Sequence, residues 1–198
     1  MTKYVLNSGG VGRYPELARK FFGEVFKDLG PSPKLLICCF AQPREDWEAK
    51  FAADVQRREL FPESVAPQLE LAFPETFREQ IEANDVVYLH GGDDHLIQYW
   101  LSQFEDLPKL WEGKVVATNS ASSNALAAHF WTCDWRKNLD GLGILPIKFI
   151  SHYQSDYGFD DPRGPIDWEQ AYQELETYRD ISLPIHALKE GEYVVIEE

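Results

Sequence analysis

Cysteine is scarce in this chain, three among 198 residues, at positions 38, 39 and 133. The odd number and the lack of any C-x-x-C spacing exclude a disulfide framework and a cysteine zinc site, and point to a reducing compartment. Cys38 and Cys39 are neighbours in an apolar run, where successive strand residues face opposite ways, so they are expected to pack as buried thiols. Long hydrophobic runs are also missing. Nothing approaches the roughly 20 apolar residues of a membrane helix, and Met1-Thr2-Lys3-Tyr4-Val5-Leu6 reads as a first strand, without the basic leader and apolar stretch of a signal peptide. A cytoplasmic protein with no membrane partner is the expectation. Positive charge is short too: 19 Lys plus Arg stand against 33 Asp plus Glu, a net charge of -14. Such a field repels polyanions and speaks against nucleic acid as a partner. An acidic ligand would need locally placed cations or N–H donors.

What the chain does have is material for a core: 44% hydrophobic and 14% aromatic residues, in a length that suits one domain over residues 1–198. Strand-like runs at residues 4–6, 35–40, 69–73, 86–89 and 115–118 alternate with helical segments at 16–29, 46–60, 75–83 and 95–104. Each of the first four connections can hold a crossover helix, so the pattern predicts an α/β protein whose mostly parallel sheet carries helices on both faces. Reactive groups are then expected at the carboxyl ends of strands. The alternation fails after residue 130. Residues 133–167 read as a long decorated region containing one strand at 147–151, followed by a helix at 168–178 and a terminal hairpin pairing 185–188 with 193–196.

The sharpest local signal is Lys114-Val115-Val116-Ala117-Thr118-Asn119-Ser120-Ala121-Ser122-Ser123-Asn124. A β-branched run meets a turn of small residues with a serine at the join, the arrangement that lifts a nucleophile above a sheet edge beside helix N–H groups. A G-x-S-x-G elbow would have glycines where this chain has Thr118 and Ser122, and a side chain at the second position is expected to crowd the turn. Gly91-Gly92-Asp93-Asp94 follows the apolar strand 86–89, where glycines let backbone N–H groups approach a substrate. The His90, His95, Asp93 and Asp94 group lacks helical ligand spacing, and its acids are better suited to capping the next helix, so no metal is expected.

Ser120 needs a base. His129 falls on the predicted helix after the turn and His186 in the terminal hairpin, whereas His152 closes the strand 147–151 and so reaches the same sheet edge. Asp134, Asp156, Asp160 and Asp161 are all candidates to orient that imidazole. Arg163, in Asp160-Asp161-Pro162-Arg163-Gly164-Pro165, can clamp a substrate carboxylate or pair with the acids around it.

These segments together resemble the dipeptidase E/cyanophycinase family of serine peptidases, whose fold is like that of class I glutamine amidotransferases. Leu6-Asn7-Ser8-Gly9-Gly10 is similar to its opening strand and loop, and Tyr88-Leu89-His90-Gly91-Gly92-Asp93-Asp94 to its oxyanion loop. Asn119-Ser120-Ala121-Ser122-Ser123-Asn124 is similar to its nucleophile turn, and Asp140-Gly141-Leu142-Gly143-Ile144-Leu145-Pro146 through Ser151-His152-Tyr153 to its histidine segment. The resemblance implies a three-layer α/β/α sandwich with Ser120 as nucleophile, His152 as base and Asp134 as the orienting acid. It also implies an oxyanion site from the Gly92 and Ala121 N–H groups; Gly91, Asp93 and Arg163 are further candidates to border the substrate, from their own chemistry and place in the chain. The family cleaves bonds next to aspartyl residues, which makes a small, possibly aspartyl, peptide the expected substrate and requires no cofactor. Asp93, Asp94 and Ser122, which depart from the family pattern, also motivate a second reading, a binding or regulatory protein with impaired catalysis.

Overall fold

The structure is a computed structural model that describes residues 1–198. Its ten strands form two sheets. The larger is built from β1 (Lys3–Asn7), β2 (Lys34–Cys38), β3 (Gln68–Leu71), β4 (Val86–Leu89), β5 (Val115–Asn119) and β10 (Tyr193–Glu197), in the spatial order β10-β1-β5-β4-β2-β3. All its pairings are parallel except β1 with β10. The inner strands β4 and β5 are buried almost throughout, because helices cover both faces of a parallel sheet and leave neither face to water. The crossover segments supply those helices: α1 (Pro15–Val25), α2 (Trp47–Val55), α3 (Phe77–Ala83), α4 (Asp94–Leu101) and α5 (Leu107–Leu110). In α1 the apolar positions Ala18, Phe21, Phe22 and Val25 recur at helical spacing and are buried.

The segment 46–60, expected as one helix, is shorter and broken: α2 is flanked by single 3-10 turns at Arg44–Asp46 and Arg58–Leu60. A larger correction follows Ser120. The helix there, α6 (Ala121–Leu126), has only six residues, and His129 lies on a strand rather than a helix. The run Phe130-Trp131-Thr132 is aromatic and β-branched, and it extends as β6 (Ala127–Thr132) between β7 (Lys137–Asp140) and β8 (Leu145–Ile150) in the second sheet. β9 (Ile185–Ala187) adds to β8 in parallel, and α7 (Trp168–Glu176) packs over this sheet.

The terminal hairpin is also corrected. β9 pairs with β8 and β10 with β1, so the two strands belong to different sheets. The loop between them crosses from one sheet end to the other: the Leu188 N–H donates to the Ile150 carbonyl at 3.2 Å and the Gly191 N–H to the Gly9 carbonyl at 2.8 Å. One apolar cluster runs from Tyr4 through Phe130 and Phe149 and spans both sheets. The whole is an α/β fold with two mostly parallel sheets, and the carboxyl ends of β1, β4, β5 and β8 converge with the 188–192 loop.

Candidate active site

Ser120 stands where β5 turns into α6, with φ 51° and ψ -113°, a backbone conformation that costs a residue with a side chain about 1–3 kcal/mol. Neighbouring bonds hold it there. The Ser120 N–H donates to the Asn7 carbonyl at 2.9 Å, and its own carbonyl accepts from the Ser123 N–H at 2.8 Å. The two residues that replace elbow glycines are accommodated by hydrogen bonding rather than by space. Thr118 Oγ1 lies 2.6 Å from Ser123 Oγ, which itself donates to the Asn7 carbonyl at 2.8 Å. The buried Ser122 hydroxyl donates to the His90 carbonyl and ties the Ser120 turn to the glycine loop.

His152 follows β8 and also has a left-handed backbone, φ 58°. Its N–H donates to Ser8 Oγ at 2.7 Å. Tyr157 stacks on the imidazole at 4.2 Å between centroids and 25° between planes. Gly9, at φ 129°, lies so close to the ring that a Cβ on it would overlap Cε1, which restricts the position to glycine. In this clamp His152 Nε2 is 2.7 Å from Ser120 Oγ and Nδ1 is 2.9 Å from Glu190 Oε1. The partners fix the tautomer: Nδ1–H donates to the carboxylate, leaving Nε2 to accept from the serine.

The acid at His152 is therefore Glu190, and the expectation of Asp134 is corrected. Asp134 accepts instead from the Tyr157 hydroxyl at 2.9 Å, and so meets His152 only through the stacked ring. The reason is topological: the 188–192 loop passes between the ends of β1 and β8 and presents Glu190 to the imidazole edge. Hydrogen bonding from His152 holds the Glu190 carboxyl below the usual carboxylate range. Arg13 lies 3.3 Å from Glu190 Oε2 and makes two 3.1 Å contacts with Asp156. Asp160 is exposed.

Arg163 sits away from this group. Its Nε and Nη2 hold Asp161 at 2.9 and 2.5 Å, and Nη2 also donates to the Asp134 carbonyl at 2.9 Å. Asp93 is the N-cap of α4, and its Oδ1 accepts from the His95 and Leu96 N–H groups at 2.7 and 2.9 Å. Gly91 and Gly92 lie beside the Ser120 turn. Gly92 is at φ 150° against the Ala41 carbonyl, and its N–H donates to no backbone acceptor. Ala121 opens α6, where a helix N–H lacks an intrahelical partner. Gly92 and Ala121 line a small cavity with Ser120, His152, Asp94 and Tyr157.

Asp94 is buried in that wall and accepts from Asn124 Nδ2 at 3.0 Å and Thr132 Oγ1 at 2.6 Å. Burial pushes its carboxyl up to about 6. His90 is 2.6 Å from Asp54, and burial lowers its imidazole pKa. His95 faces Trp135, and His129 pairs with Asp140 at 2.9 Å. All three cysteines are buried and free, and burial raises the Cys39 thiol to about 12. Sequence reasoning missed Glu190, Tyr157, Ser8 and Arg13. The only signal for Glu190 was an acidic, glycine-containing connection, Lys189-Glu190-Gly191-Glu192, which reads equally well as a turn.

No curated protein matches the chain. Solved structures with a similar fold include one described as a "Putative Peptidase E Protein" from Listeria monocytogenes EGD-e. It is 16% identical, with 99% of this chain and 94% of that one covered and a TM-score of 0.67. Another is a peptidase from an acI-B1 actinobacterium, 18% identical, with 99% and 83% covered and a TM-score of 0.64. At these identities the likeness is one of fold. The family model for peptidase family S51 matches residues 40–198, and with four fifths of its length under that match the chain belongs to peptidase family S51.

Proposed function

We propose that this peptidase is a serine peptidase acting on small peptides through Ser120, His152 and Glu190. The observation that carries the reading is the continuous chain from Ser120 Oγ to His152 Nε2 at 2.7 Å and from Nδ1 to Glu190 at 2.9 Å. His152 takes the hydroxyl proton as Ser120 Oγ bonds to the scissile carbonyl carbon. Glu190 orients the ring and stabilises the imidazolium. The Gly92 and Ala121 N–H groups receive the oxyanion. When the C–N bond breaks, His152 returns the proton to the leaving amine, and water then attacks the acyl-serine in the same way. Of the three residues that motivate the second reading, an impaired binding protein, Asp93 caps α4 and the Ser122 hydroxyl is taken up by the His90 carbonyl, while Asp94 stands in the cavity wall.

Ser120→Ala tests the mechanism. Turnover of a panel of short peptides, including aspartyl and β-aspartyl ones, is expected to fall by about 10⁴–10⁶-fold with the thermal transition preserved. A fluorophosphonate probe is expected to label the wild type stoichiometrically and the variant not at all. Undiminished hydrolysis by Ser120→Ala would overturn the assignment.

A further inference from the structure

A second cavity, of about 270 Å³, opens on the other side of the glycine loop. Gly91 and Asn119 form the wall it shares with the nucleophile turn, and a Cβ on Gly91 would stand only 3.2 Å from the Ser120 Cβ. Its walls divide chemically. Phe22, Leu60 and Phe61, with the sheet residues Leu35 and Ile37, make an apolar floor. Lys50 and Arg57 supply two cations, each with about a third of its side chain exposed. The one carboxylate in the lining, Asp54, is already engaged by Lys50 at 2.9 Å and His90 at 2.6 Å. Lys50 is matched by Asp54, and Arg57 lies 3.5 Å from Glu59 and donates Nη2 to the Gly12 carbonyl at 2.8 Å, which leaves Arg57 Nη1 without a hydrogen-bond partner as the donor an anion can take. Tyr88 also lines the cavity. Only 3% of it is exposed, and its hydroxyl has no hydrogen-bond partner, an unmet requirement that a polar ligand atom can satisfy. Asn119 Oδ1 is likewise buried without a partner.

We propose that this cavity holds the carboxyl-terminal residue of the substrate, its apolar side chain against Phe22, Leu60 and Phe61 and its free α-carboxylate toward Lys50 and Arg57. The substrate class is then short peptides ending in a free apolar residue, and the inference rests on the serine peptidase reading for the placement of the scissile bond. Charge sets the direction of binding. The cavity on the far side of Ser120 carries Asp94 and Asp134, which repel a carboxylate and favour the amino end, so the peptide lies with its carboxyl end over Gly91. The amide nitrogen of the apolar residue is the leaving amine that His152 protonates.

Calorimetric binding to the Ser120→Ala protein tests this without chemistry, using Ala-Phe, its carboxyl amide, and Ala-Asp. Ala-Phe is expected to bind at least tenfold more tightly than either of the others. Arg57→Met in the same background is expected to abolish the preference for the free acid over the amide. Leu60→Ser, with folding checked by circular dichroism, is expected to weaken Ala-Phe while leaving Ala-Asp unchanged. Equal affinity for acid and amide, tighter binding of Ala-Asp, or no binding of any of the three overturns the proposal. Failure of the underlying reading has a different signature: wild-type protein that neither takes the serine probe nor turns over any peptide, whatever the variant binds.

Discussion

Two carboxylates approach His152, and they do different work. Glu190 accepts directly from Nδ1, whereas Asp134 accepts from the hydroxyl of the tyrosine stacked on the ring. Glu190→Gln keeps the size of the side chain but lets the amide favour the wrong imidazole tautomer. It is expected to lower kcat by about 10³–10⁴-fold with little change in KM. Asp134→Asn is expected to lower kcat by less than about tenfold, because its carboxylate reaches His152 only through Tyr157. Steady-state kinetics of the two variants on one substrate check the assignment, and a larger loss for Asp134→Asn would contradict it. Ser120 and His152 were legible in the sequence because each ends an apolar strand, and parallel strand ends collect on one sheet edge. Glu190 was not. It is one acid among 33 Asp plus Glu, and it lies 190 - 152 = 38 residues from its partner in a loop with no periodicity to mark it.

Among the elements, β8 and α7 are joined by an unusual contact. Lys148 is fully buried in the middle of a strand, where an apolar residue is the rule, and its ammonium donates to the Leu175 and Glu176 carbonyls at 2.8 and 2.9 Å. These are the last carbonyls of α7, which have no partner within the helix. A cation there also complements the negative end of the helix dipole. Lys148→Met fills the space but strands the Glu176 carbonyl and leaves Leu175 only the Tyr178 N–H at 3.1 Å. The expected cost is about 1–3 kcal/mol, since buried polar groups left unpaired are penalised by that amount, and denaturant unfolding measures it. A variant as stable as the wild type would show that the methionine packing offsets the lost bonds. The parallel strands and crossover helices were readable at this scale from period and punctuation. The break after Leu126 was not, because Ala121-Ser122-Ser123-Asn124-Ala125 suits a longer helix until β6 is drawn into the second sheet.

Across the whole molecule, a buried polar network crosses from the large sheet to the small one. Asp94, on the helix after β4, accepts from Asn124 of α6 and Thr132 of β6, and Asn124 in turn accepts from Ser151 after β8 at 3.0 Å. Burial raises the Asp94 carboxyl from 3.8 to about 6. Between those values the folded state holds a proton that the unfolded chain has released, so this group's contribution to stability is full at low pH and is lost as pH rises to about 6. The loss is on the order of 2–3 kcal/mol for a shift of this size. Asp94→Asn does not titrate. Urea unfolding of both proteins is therefore expected to show the wild type losing stability relative to the variant from pH 4 to 6.5, with the difference level above that. A gap that stays constant with pH would mean that Asp94 is not perturbed.

By itself the sequence determined what repeats along the chain: apolar strands of four to six residues, crossover helices, and polar residues at strand ends, because local periodicity and the parallel sheet follow from the order of side chains. It determined the serine at its turn and the histidine that closes a strand for the same reason. The tertiary structure alone decided which acid meets the histidine and how hydroxyls replace the elbow glycines. It also decided that the last two strands part to different sheets. Those outcomes depend on where loops distant in sequence come to rest, and a loop's position is set by the ends of both sheets at once rather than by its own residues.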